Sequence, residues 1–246
     1  MRIILAVINK ELRRYRWSLA ELIRDLLLLY LVFLVLISMV EHVFKSYIDR
    51  ETLVIAFSVW AFLILNYFDA FAILMHEIKT GAFLRLSSSR RGFSMIIGLQ
   101  ILLAILKNLL IAGIMFIALA FASGWFIPSK LGACLLIAVS LVPAVIGLSF
   151  LTAGLDLLIG SARYVMQIIT FFLVSLVVVP LEHSLFVSTF PVVQGMWLIR
   201  KLVFDGYSLY NLIDSNLLQY LGISIGYLII GVLVHRFCCR KYYALN

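Results

Sequence analysis

The densest run of reactive side chains in this sequence is residues 76–92, HEIKTGAFLRLSSSRRG. His76-Glu77 opens like the zinc-binding helix of a metalloprotease, but that chemistry needs a second His four residues on, facing the same metal. Thr80 stands there, after Lys79, so no metal site forms. His42, His183 and His235 are scattered, and no Ser/His/Asp set or paired acidic motif is legible. No G-x-x-x-x-G-K-[ST] loop is present, so the chain is not expected to hydrolyse ATP or to act as an enzyme by itself. What the run offers is a docking surface. Glu77 stands four residues before Gly81, and Ala82-Phe83-Leu84-Arg85-Leu86 follows, a segment able to form a short helix on a membrane surface against a soluble partner.

Two charges lie inside apolar runs. Asp69 falls in Leu53–Met75, and Lys107, next to Asn108, near the middle of Phe93–Ala122. Each would cost about 2.5–3.5 kcal/mol facing lipid at a helix centre, so each is expected to face protein or water. One reading puts Asp69, Lys107 and Asn108 on a substrate path or a proton relay. The other is structural: Asp69 and Lys107 pair between helices, or Asp69 snorkels toward the inner surface.

The elements that position these residues are membrane spans. Of 246 residues 64% are hydrophobic, more than a soluble fold of this size can bury. The chain therefore reads as one all-α polytopic membrane domain, 1–246, with six spans near Leu26–Phe44, Leu53–Met75, Phe93–Ala122, Leu131–Leu155, Ala162–Leu181 and Leu217–His235. The net charge of +8 invites a nucleic-acid partner, but its placement argues against one. Arg and Lys crowd residues 2–24, 79–91 and 236–241, a positive-inside pattern that puts both termini and residues 76–92 in the cytoplasm, in a cell membrane.

Residues 1–25 carry no signal-peptide core. Ile4, Ile8, Leu12, Tyr15, Leu19 and Leu22 share a helical face opposite Arg2, Lys10, Arg13, Arg14 and Arg24, which predicts an amphipathic helix in the inner interface. Residues 182–216 hold two apolar pieces, Leu185–Phe190 and Val192–Phe204, too short to cross and broken by Pro180 and Pro191. They are either an ordered outer loop with a surface helix or two short helices dipping into the outer leaflet. The glycines at 98, 113, 147, 154, 222, 226 and 231 are expected at helix–helix contacts. Cys134 sits in an apolar run, and Cys238 and Cys239 are expected as reduced cytoplasmic thiols at the membrane edge, with lipidation as the alternative.

This layout resembles the membrane subunit of ABC-2 type (type V) ABC transporters, over nearly the whole chain. Glu77, Gly81 and Phe83-Leu84-Arg85-Leu86 look like that family's Glu-x-x-x-Gly-Thr-Leu coupling segment, with Ala82 in the threonine position and the usual following proline missing. Phe190-Pro191 through Arg200-Lys201-Leu202 looks like its outer-helix region. The resemblance implies an interfacial helix, six spans, a cytoplasmic coupling helix formed by Glu77, Lys79, Gly81, Ala82, Phe83, Arg85 and Leu86, and outer re-entrant helices between spans five and six. It implies an exporter half that pairs with a second, identical or homologous permease and with two copies of a separate ATPase that carry ATP and Mg. The apolar walls favour a hydrophobic or amphipathic cargo: a drug, a peptide antibiotic or a lipid. The alternative is a non-transporting membrane scaffold or immunity protein that binds a toxic peptide.

Overall fold

The computed structural model describes residues 23, 24, 27, 28, 30–35, 50–79, 93–123, 131–160, 164, 166–170, 189–203, 205 and 217–245, helical almost throughout and without a strand among them. The helices are α1 (Arg50–Lys79), α2 (Phe93–Ser123), α3 (Leu131–Ser140), α4 (Val142–Ile159), α5 (Pro191–Val203) and α6 (Leu218–Leu245). Among the described residues four stretches are long and apolar enough to cross a bilayer: Val54–Ile78, Met95–Ala122, Leu131–Ile159 and Leu218–Tyr242. The described residues are thus all-helical, and their four long apolar helices mark a membrane protein. The expected interfacial helix 1–25 and the expected spans Leu26–Phe44 and Ala162–Leu181 lie mostly outside the described residues. Phe33 is described, and it packs against Phe57 of α1 with the rings tilted at 53° and their centroids 5.0 Å apart.

Two helices run further than hydropathy suggested. α1 continues past Met75 to Lys79, because nothing in His76-Glu77-Ile78-Lys79 breaks a helix and both Glu77 and Ile78 are buried. α6 continues past His235 to Leu245. Cys238 and Cys239 are therefore not at an open membrane edge; both are buried, Cys238 against Gly154 of α4.

The third crossing is made in two pieces. Pro143 has no N–H to continue the ladder, and α3 stops at Ser140. The Leu141 N–H bonds Ala138 O (3.2 Å), one residue short of its α-helical partner, which releases the Ile137 carbonyl. Tyr220 Oη of α6 (2.9 Å) and Ser140 Oγ (2.6 Å) donate to that carbonyl instead. α4 ends at Gly160, whose left-handed φ of 67° favours glycine.

α1 packs between α2 and α4, and α6 covers α4. The α4–α6 contact is set by missing side chains. A Cβ on Gly147 would lie 2.6 Å from the carbonyl carbon of Tyr227 and 2.8 Å from Leu228 Cα, and one on Gly231 would strike the Gly147 backbone. Such close backbone approach is how apolar helices associate where no hydrophobic effect drives them together. The contacts climb together along both helices, Gly147 with Tyr227 and Gly154 with His235 and Cys238, so α4 and α6 run parallel. Glycines 98, 113, 222 and 226 were expected at such contacts too, but a Cβ on any of them meets nothing within 4 Å.

α5 is 13 residues long, too short to cross. Pro191 begins this helix rather than breaking one, at the first position, where its missing N–H costs nothing. Val192, Val193, Met196, Leu198, Ile199 and Leu202 are buried, and the helix packs on α3 and α6. Gly195 makes room for Leu141 and the Tyr220 hydroxyl.

Candidate functional site

α1 and α2 form an antiparallel pair, and their polar residues meet along one seam. Near the end of α1, Gln100 Nε2 approaches Glu77 Oε1 at 3.4 Å. Further in, Lys107 Nζ donates to Asp69 Oδ2 at 2.6 Å. Asn108 Nδ2 donates to the same oxygen at 3.0 Å and lies 3.4 Å from Asn66 Oδ1. Asn66 Nδ2 is held by Phe62 O at 2.7 Å. On the other side of α1, Tyr67 Oη meets Thr152 Oγ1 of α4 at 2.9 Å, and Ser149 Oγ reaches Tyr67 O at 3.0 Å.

The centre of this seam is the group expected from sequence: Asp69, Lys107 and Asn108. The structure brings all three together, in the arrangement the pairing reading describes. Asp69 lies about 15 Å from the end of α1, because that helix continues to Lys79. Both charges fall within about 5 Å of the centres of their spans, too deep for Asp69 to snorkel out cheaply. A charge-assisted bond of this length relieves much of the cost of placing either charge there.

The pair is not sealed. Asn66 and Asn108 are buried, but the Lys107 and Asp69 side chains are 25% and 32% exposed. Around them the outer side of the seam is apolar and open, with Phe68, Leu106 and Leu110 exposed. The site can hold an ion pair and offer it to water, to a polar group passing along this face, or to a second protein surface. Among the described residues the fully buried Asn108 Oδ1 has no hydrogen-bond partner. Among the described residues no group of three His, Cys, Asp or Glu is placed to hold a metal.

No family model, curated protein or solved structure matches the chain.

The expected coupling residues divide. Glu77 and the backbone of Lys79 belong to the last turn of α1, with Glu77 turned inward against α2. Gly81, Ala82, Phe83, Arg85 and Leu86 lie outside the described residues. Asn66, Gln100 and Tyr67 were not singled out from sequence. Their signal was available: Asn66 and Asp69 are three apart, and Gln100, Lys107 and Asn108 are seven and one apart, spacings that put polar residues of an apolar helix on one side.

Proposed function

We propose that this chain is the membrane subunit of an ABC-2 type exporter. Two such subunits, identical or homologous, enclose a path for a hydrophobic or amphipathic cargo. Two copies of a separate ATPase, carrying ATP and Mg, dock beneath the segment between α1 and α2. In this reading the chain has six spans in a cell membrane, both termini lie in the cytoplasm, and α5 belongs to a re-entrant region on the outer side.

The observation that carries the reading is the open Asp69–Lys107 pair. An ion pair at mid-span with a quarter to a third of its side-chain surface uncovered is costly against lipid, and it is accounted for if that face borders water or a second subunit. Pairing two subunits through this face places the charges beside the path between them. Two further features fit. The buried α5 supplies a short helix between the last two expected spans. Glu77 against Gln100 ties the end of α1 to α2, so a push on the connecting segment moves both helices as one rigid pair.

The test is isolation of the tagged chain from its own membranes in a mild detergent, after crosslinking from a photoreactive residue at Phe83. Recovery of two permease chains with a Walker-motif ATPase, crosslinked through residue 83, is the expected result. A single chain recovered without an ATPase and without crosslinks overturns the assignment.

A further inference from the structure

A second feature needs no exporter to explain it. An apolar cavity of about 150 Å³ lies between α1, α2 and α3. Its floor is Ile55, Val59 and Phe62 of α1, all buried. Ala112 and Gly113 of α2 and Ala138 of α3 are small residues that leave the space between the helices unfilled. A Cβ built on Gly113 meets nothing within 4 Å. At the mouth stand Ile117 and Leu135, both exposed, on two stretches apolar enough to cross the bilayer. Phe33, the buried described residue of the first expected span, packs elsewhere, on Val54, Phe57, Met115 and Leu119.

We infer that this cavity holds a segment of a lipid acyl chain. A water there would need two to four polar partners. The lining offers Ser58, whose hydroxyl is already given to Val54 O at 2.7 Å, and the Cys134 thiol. What lies outside the mouth is bilayer hydrocarbon, and the volume is on the order of that of an engineered apolar cavity that stays dry and takes up benzene. The driving force is not the hydrophobic effect, since the chain is in hydrocarbon either way. It is dispersion: side chains lining an empty void have no partner atoms on that side, and methylene groups restore those contacts. The lining residues fall in the first eight or so positions of the α1 span, down to about 12 Å from its start. That depth fits the middle carbons of a lipid in the leaflet where α1 begins.

The test uses the full chain in vesicles of phosphatidylethanolamine and phosphatidylglycerol, with a phosphatidylglycerol that carries a diazirine at mid-chain. After irradiation, adducts are mapped by mass spectrometry. Adducts at Gly113–Ile117 and Cys134–Leu135 should exceed those on Ile229 and Leu233, exposed on α6, roughly fivefold, the ratio that about 1 kcal/mol of preference produces. Gly113→Phe fills the cavity and should remove that excess while leaving the α6 adducts unchanged. Cys134→Phe fills it from α3, so the result does not hang on the folding of one variant. Labelling no greater than on α6 means an empty cavity or one filled by the chain itself, and overturns the inference, as does an excess that survives both fillings.

Discussion

Asp69 and Lys107 are the residues on which most depends. Neutralising one of them leaves the other charged near mid-span, and that penalty, more than the lost bond, is what a single substitution measures. Asp69→Asn is the cleaner partner change, because an amide still accepts from Asn108. Asp69→Asn and Lys107→Met should each lower stability by about 1–3 kcal/mol, below the range for fully buried pairs because both side chains are partly exposed. The double variant should recover much of the loss, with a coupling energy of at least about 1 kcal/mol in a thermal-denaturation cycle in detergent. Coupling near zero would show that each charge finds its own solvent and that the 2.6 Å contact contributes nothing. The two charges were legible in the sequence, since each interrupts an apolar run, and so was the choice between path and pair. What was not legible is that both readings describe one place: the residues pair and yet remain open. Exposure depends on which faces the neighbouring helices cover, and periodicity within a single helix does not carry that. The pairing itself had a signal, because Asp69 and Lys107 stand at equal sequence distance on either side of Ser88, as opposite residues of an antiparallel helix pair must.

At the scale of elements, the glycines show what sequence can and cannot rank. All seven looked alike, each a small residue in an apolar helix. Only contact with a neighbouring backbone separates Gly147 and Gly231 from Gly113. Gly231→Val should destabilise the protein by about 1–3 kcal/mol, since the atoms in its way are the Gly147 backbone and cannot rotate aside. Gly113→Ala should stay within about 0.5 kcal/mol of the parent. Equal melting temperatures for the two variants would mean the α4–α6 contact is looser than drawn. The Pro143 break makes a different kind of prediction. Tyr220 and Ser140 both donate to the Ile137 carbonyl, so either alone can satisfy it. Tyr220→Phe or Ser140→Ala should cost about 0.5–1 kcal/mol, and the double change more than the sum, because a buried carbonyl is then left bare. Strict additivity in thermal unfolding would rule out a shared acceptor. Pro143 announces the break in the sequence, whereas the hydroxyl that repairs it comes from a helix about eighty positions away, a distance no local pattern spans.

At the scale of the whole molecule, the directions of the helices constrain the path of the chain. α1 runs against α2 and alongside the third crossing, since Ile55 lines the cavity with Leu131 while Tyr67 meets Thr152 further along both. α4 runs parallel to α6. Two parallel spans joined in sequence require one more crossing between them, or an odd number of crossings. The connection runs from Ile159 to Leu218, and its described helix, α5, extends about 20 Å against a hydrocarbon core of about 30 Å. In the proposed six-span reading that return is residues 162–181, of which 166–170 are helical and Ile168 is exposed. Single cysteines at Ser88 and Ser208 read this out, in a background with Cys134, Cys238 and Cys239 replaced by alanine. Ser88 follows the first described crossing, and Ser208 follows residues 162–181. If 162–181 crosses, an impermeant maleimide labels the two positions from opposite faces, Ser88 from the face that the proposed orientation makes cytoplasmic. If it does not, both positions label from the same face. α4 and α6 would then have to enter from opposite sides, which their parallel contacts at Gly147, Gly154 and Gly231 forbid, and the six-span architecture would fall together with the packing described for that helix pair.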